Sequence, residues 1–120
     1  MIYRRKKYMV DASIAAAFNE HFNSTLLTTQ LKYGARLVGR WMAPNKEGNV
    51  EIFAIWQYDS LEAYEEIENN VRSDNEHVER VQKWFEEMGG RENLKKAFYF
   101  IDEDFIESTV PVENTILSAK

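Results

Sequence analysis

Asp74, His77 and Arg80 follow one another at intervals of three, so on a helix they share one face. A base with a carboxylate to orient it and an arginine to hold an anion is a set able to move a proton from a bound substrate. The same spacing describes the solvated face of an amphipathic helix, and both readings stay open. His21, beside Glu20, has no comparable company. A second constellation is cationic: Arg4, Arg5, Lys6 and Lys7 are consecutive in a β-forming segment. Alternation along a strand sends Arg4 and Lys6 to one face, Arg5 and Lys7 to the other. A covered cation needs a counter-charge. Glu51, Asp102, Glu103 or the carboxylate or phosphate of a ligand would serve, with Arg36 or Arg40 joining from a neighbouring hairpin; alternatively the long side chains snorkel to a rim. The third group is aromatic. Trp41, Trp56 and Tyr58 offer wide rings with a polar edge, suited to flat, conjugated or acyl ligands, or else to plain packing.

Several chemistries are missing. The chain has no cysteine, hence no disulfide, thiolate zinc site or cysteine nucleophile. It has no glycine-rich phosphate loop, no nucleophile elbow, and no histidine pair at metal spacing. Two histidines do not build a histidine-based transition-metal site, so neither metal nor cofactor is expected. Haem asks for only one axial histidine and survives that count. The net charge of −5 is spread along the chain, which argues against nucleic-acid binding. No run approaches the ~20 apolar residues of a membrane span. No apolar stretch follows the cationic N-terminal run, so no signal peptide is expected. Together with the missing cysteines, this points to the cytoplasm.

The elements that must position these groups are legible in the periodicity. At 120 residues, 44% hydrophobic and 29% charged, the chain has the composition of one globular domain. Residues 2–9 predict a strand. Asp11 or Ser13 caps a helix whose Ile14, Phe18 and Phe22 lie on one face. Asn23, Ser24 and Thr25 weaken that helix, Leu27 and Leu31 resume its spacing, and Gly34 ends it. Residues 35–43 and Val50–Tyr58 predict two strands joined by a polar loop of Pro44, Asn45, Gly48 and Asn49, a hairpin. Asp59 with Glu62, and Ser73 with Glu76, read as capping boxes. They predict a second helix bent at Ser73, burying Leu61, Tyr64, Ile67 and Val71, then Val78, Val81, Phe85 and Met88. Gly89-Gly90 ends it, and Lys96–Ile106 predicts the last strand.

The order strand, helix, strand, strand, helix, strand folds into a ferredoxin-like α+β domain over residues 1–106. Its four-stranded antiparallel sheet carries both helices on one face. Residues 107–120 form a tail without periodicity that is expected either to wander or to clasp a partner subunit. In either register the hairpin keeps large apolar residues on both faces: Leu37 and Trp41 against Val38 and Met42, and Phe53 and Ile55 against Ile52 and Trp56. An apolar second face marks an interaction surface, and the simplest partner is a second copy, sheet against sheet.

Tyr33-Gly34-Ala35-Arg36-Leu37-Val38-Gly39-Arg40-Trp41, followed by Ile55-Trp56-Gln57-Tyr58-Asp59-Ser60-Leu61-Glu62-Ala63-Tyr64, resembles the NIPSNAP family. So do Val71-Arg72-Ser73-Asp74 and Arg80-Val81-Gln82-Lys83-Trp84, and the likeness runs from about Tyr3 to about Phe105. The resemblance implies a dimeric α+β barrel, the superfamily of antibiotic-biosynthesis and haem-degrading monooxygenases. It implies little chemistry, because the family has no settled activity and fold does not carry function. The haem-degrading relatives pair their histidine with an asparagine on the first strand and a tryptophan early in the second helix. Here no asparagine precedes Asp11, and residues 60–72 contain Tyr64 but no tryptophan. Haem degradation is therefore disfavoured.

The expectation is a homodimer binding an apolar or anionic small molecule in its interface lumen. Arg40, Trp41, Trp56, Tyr58, Asp74, His77 and Arg80 are the candidate ligand residues, with His77 and Tyr58 the candidate catalytic groups. Two other readings are a cofactor-independent monooxygenase and an assembly protein without catalysis. An enzyme needs an open cavity with convergent polar groups; an assembly module needs that space filled.

Overall fold

Strong β-formers bracket the cationic run, and in the computed structural model, which describes residues 1–44 and 47–118, they form strand β1, Ile2–Asp11. Asp11 then stops the strand and caps helix α1, Ala12–His21, its carboxylate accepting the Ser13 N–H at 2.9 Å. The weak Asn23-Ser24-Thr25 stretch does not break the helix. It widens instead into a π-helical turn, Phe22–Leu26, before α2, Leu27–Lys32, continues the same rod. Gly34, at φ 99°, turns the chain out as only glycine does without strain.

Strands β2, Arg36–Pro44, and β3, Asn49–Tyr58, form the expected hairpin; Asn45 of its loop lies outside the described residues. Helices α3, Leu61–Arg72, and α4, Asn75–Glu87, meet at the expected bend. The caps lie one residue later than the boxes suggest. Ser60 accepts from the Ala63 N–H, and Asp74 from the His77 N–H. The displaced Asp59 pairs with Arg36 at 2.8 Å. Leu61, at 52% exposed, is not in the buried stripe, because it lies in the first turn beyond the sheet's cover, and Val78 is exposed too. The last strand starts later than predicted. Arg91–Ala97 is a further helix, α5, anchored by buried Leu94, and β4 runs Phe98–Ile106. Every residue of α5 but Asn93 is a good helix former, and Lys96 and Ala97 are claimed by its last turn.

All strand pairs are antiparallel, in the order β2-β3-β1-β4, which is the ferredoxin-like α+β fold. The helices cover the face that carries Val10, Ile52, Ala54, Trp56 and Tyr58, which pack with Phe18, Phe22, Ile67 and Val71. Strand β2 departs from simple alternation. A bulge between Leu37 and Gly39 sets Leu37 opposite Trp56 on the helix side but Trp41 opposite Phe53 on the open side. Leu37 and Trp41, predicted to share a face, therefore do not. The Trp41 ring lies over Gly39, where a Cβ would come within 2.4 Å of it. The tail brings half-buried Thr115 and Leu117 to a small cavity shared with Tyr3, Val38 and Ile55 on the same open face. Among the described residues no helix is long and apolar enough to cross a membrane.

Candidate functional site

Between the sheet and the helices lies a cavity of about 260 Å³. Strand β1 sends Arg4, Lys6 and Tyr8 into it, because alternation puts even-numbered residues on the helix side. Arg40 enters from β2, and Ala54 and Trp56 from β3. Phe22, Leu26 and Gln30 come from the first helical rod, Glu68, Val71 and Arg72 from α3, and His77 from α4.

The cations in this space are not equivalent. Arg4, 5% exposed, is already held. Its Nε–H donates to Glu103 Oε1 at 2.6 Å, its Nη1–H to the Tyr58 hydroxyl at 3.3 Å, and the Tyr64 ring lies 5.2 Å away. Burial pulls this guanidinium toward neutrality, but the hydrogen bonds to Tyr58 and Glu103 outweigh it and its pKa is raised. Arg40 is different. Its Nη1–H donates to Asn19 Oδ1 at 2.6 Å, and its plane lies 4.2 Å from the centre of Phe22 and 5.0 Å from Phe18. Its Nη2 is buried without a partner, and that burial lowers its pKa. Gln30 supplies the matching orphan. The Glu68 carboxylate only accepts, so it fixes the amide with Nε2–H toward it, at 3.1 Å, and leaves the buried Oε1 unpaired. One strong donor and one acceptor thus border the cavity unsatisfied, against aromatic walls.

His77 Nδ1 lies 2.8 Å from Thr29 Oγ1. Thr29 already donates its one hydroxyl proton to the Thr25 carbonyl, so His77 must donate through Nδ1–H. That leaves Nε2 as the basic nitrogen. Burial lowers the ring's pKa, against the opposing pull of Asp74 and Glu68, so it is neutral near pH 7. Asp74 does not orient this ring. Its carboxylate accepts from the His77 backbone N–H at 3.0 Å, from the Tyr33 hydroxyl at 2.7 Å and from Lys32 at 2.9 Å. Those bonds, led by the His77 amide, hold its pKa far below the usual carboxylate range. Arg80 pairs with Glu76 at 2.7 Å. Asp74, His77 and Arg80 do border one small pocket of about 80 Å³, but as cap, neutral base and surface ion pair rather than a relay.

The aromatic candidates separate. Trp56 and Tyr58 lie on the helix-covered face, not toward an interface lumen, because Tyr58 and every second residue before it in β3 alternate inward. Tyr58 is fully buried against Arg4, and burial raises its phenol pKa despite that hydrogen bond. Only Trp41 stands on the open face, about half exposed and 5.3 Å from Phe53. Sequence reasoning missed Gln30 and Glu68, since neither polar residue on a helix announces a buried site. The pairing of Arg4 with Lys6 was available from alternation alone.

His21 stacks on Trp84 with centroids 4.2 Å apart, and burial, aided by His77, lowers its pKa to about 4. A histidine kept neutral in the native state protonates more readily when unfolded. Stability is therefore expected to fall as pH drops from about 6.5 toward 4. The carboxylates with lowered pKa, Asp11, Asp74, Asp104 and Glu103, add their losses only below their usual values of 3.8 for aspartate and 4.5 for glutamate. His21→Gln should make the upper limb of a melting-temperature-against-pH profile shallower, with His77 supplying what remains, and leave the lower limb; an unchanged upper limb would refute this assignment.

A ferredoxin-like α+β protein with a polar cavity between its layers is thus the class that fold and site define. The chain belongs to the NIPSNAP family, whose model matches residues 3–101. Among solved structures it is similar to protein Atu4242 of Agrobacterium tumefaciens, with 16% identity, 91% of this chain and 94% of that one covered, and a TM-score of 0.68. Atu4242 is a NIPSNAP family protein with unknown function. An uncharacterized NIPSNAP domain protein from Burkholderia xenovorans gives 17% identity, coverage of 92% and 99%, and a TM-score of 0.64. A second Agrobacterium tumefaciens NIPSNAP protein, Atu5224, gives 13% identity, coverage of 90% and 85%, and 0.68. At such identities the likeness is one of fold. No curated protein matches the chain.

Proposed function

We propose that this NIPSNAP protein binds a small organic anion with a flat or apolar body in the cavity between its sheet and helices. The observation that carries the reading is the pair of buried, unpaired groups at that cavity, Arg40 Nη2 and Gln30 Oε1. An unpartnered buried charge is costly, and a ligand carboxylate would relieve it. Lys6, within 5.7 Å of the Tyr8 ring, adds a second cation, and Trp56 and Phe22 supply walls. The cavity sits just below the 300–1,000 Å³ range of drug-sized sites, which suits a benzoate-sized acid. Benzoate binding followed by titration calorimetry tests this. Arg40→Gln is expected to weaken it at least tenfold, in keeping with loss of a charged hydrogen bond worth roughly 1.5–3 kcal/mol. No binding by the parent protein, or equal binding by the variant, would end the proposal.

A catalytic version rests on the free Nε2 of neutral His77 at the same cavity, placed to take a proton from a substrate that forms its own carbanion. His77→Asn should then keep binding and lose turnover. The open cavity weighs against a purely structural assembly role. We place the protein in the cytoplasm as a homodimer joined through the open sheet face, where Trp41 and Phe100 are exposed, with the tail beside the seam. Light scattering at micromolar concentration should report about twice 14.1 kDa; a monomer throughout would exclude the dimer.

A further inference from the structure

A second and larger cavity, of about 750 Å³, lies where α4, α5 and the start of β4 come together. It is separate in character from the anion site. Its walls include Leu26, Trp84, Leu94, Phe98, Phe100 and Ile101, so it is apolar over most of its depth. Arg91, Glu92 and Lys95 of α5 stand at its mouth, all exposed, which leaves one net positive charge there, and neither cation is joined to a carboxylate within ion-pair distance among the described residues. Arg91 lies flat against the Phe85 ring, 4.6 Å from its centre, which holds its guanidinium beside the entrance. Phe100 and Ile101, about half exposed, leave the apolar interior continuous with the surface.

An apolar cavity with net positive charge at its opening is complementary to a hydrocarbon chain ending in a carboxylate. We propose that this cavity binds a medium- or long-chain fatty acid, chain inward, with its carboxylate at Arg91 and Lys95. The volume lies within the range of pockets that bury small ligands, about 300–1,000 Å³. Burial of the chain supplies the affinity. The two cations supply the preference for an acid over an uncharged head, which is expected to be roughly tenfold for two partly exposed ion pairs. The site shares the Leu26 wall with the benzoate-sized cavity but none of that cavity's polar groups, and it does not depend on what binds there.

Titration calorimetry with dodecanoate and dodecanol, below their aggregation limits, on the full chain tests the proposal. Expected are saturable binding of one dodecanoate per chain and roughly tenfold weaker binding of dodecanol. V81W, which fills the cavity from α4, should abolish both. Ile101→Trp, at an exposed position on the rim, serves the same purpose should V81W melt early. Arg91→Gln/Lys95→Gln should bring dodecanoate down to the level of dodecanol. Gln30→Leu, in the other cavity, should leave dodecanoate unchanged. Absence of saturable binding, binding undiminished in both filled variants, or loss of dodecanoate in Gln30→Leu would each overturn it. So would a dimer that dissociates on filling the cavity without ever taking up dodecanoate, since the occupant would then be a second copy.

Discussion

Trp56→Ala is expected to cost the domain about 3 kcal/mol, the lower end of the roughly 3–5 kcal/mol seen for deleting a buried large ring. The ring is 4% exposed and packs against Phe22, 6.1 Å between centres, within the cluster that also holds Ala35, Ala54 and Val71. Its other side borders the 260 Å³ cavity, so fewer contacts are lost there than in a closed core. For a domain of this size the change should lower the melting temperature by roughly 10–15 °C. Urea denaturation should show a lower midpoint with an unaltered slope, the sign of lost stability without a changed denatured state. A cost under about 1 kcal/mol would mean that the ring is not part of the core. Trp56→Phe keeps much of the packing while enlarging the cavity, so it should change benzoate affinity more than stability.

The second large effect is expected at the first strand, where neighbouring arginines should behave in opposite ways. Arg4→Met removes the charge that neutralises Glu103 and hydrogen-bonds Tyr58, with Glu68 4.0 Å away. Breaking a buried pair this way costs about 3–5 kcal/mol, and the lower figure applies because the Glu103 side chain is partly open to water. Arg5→Gln breaks an ion pair of almost the same length, 2.7 Å to Asp104 against 2.6 Å for Arg4 and Glu103, yet both of its partners are solvated on the open face. Its melting temperature should match the parent within error. Glu103→Gln added to Arg4→Met should recover part of the loss, since the orphaned carboxylate is then gone. Equal losses from Arg4 and Arg5 would contradict the side-chain alternation that places one inside and one outside.

Much of this was legible because it depends on periodicity. The stripes Phe18–Phe22 and Ile67–Val71 and the bend near Ser73 follow from spacing alone. The family resemblance covers almost the same span that the family model matches. Other features depend on distances that spacing does not encode. The bulge at Leu37–Gly39 reverses the side on which Trp41 emerges, and one inserted residue is invisible to a period of two. The choice between the two faces of β3 was the harder matter. Both Trp56 and Phe53 are apolar, so hydrophobicity left open which one met the helices. The site moved with that choice, from a lumen between subunits to the space under the helices. Asp74 and His77 share a helix face as expected. Only their hydrogen bonds to Tyr33 and Thr29 show that each already serves a different neighbour.

The widened turn at Phe22–Leu26 makes the chain's length at this point as informative as its composition. A π turn holds one more residue than the α-helix around it, so it works like an insertion absorbed without breaking the rod. Removing an exposed residue there, Asn23 or Ser24, would restore regular α geometry and improve the local hydrogen bonding. Because the wide turn takes up the extra residue, its removal would leave Phe18 and Phe22 before it, and Thr29 and Gln30 after it, on the faces they now hold. The ring that stacks on Arg40 and the amide that faces the same cavity would stay together. A relative of this protein one residue shorter in this helix should therefore keep both Arg40 and Gln30 partners. A deletion from the regular turns of α1 or α2 instead would swing one half of the rod by about 100° against the other and part them.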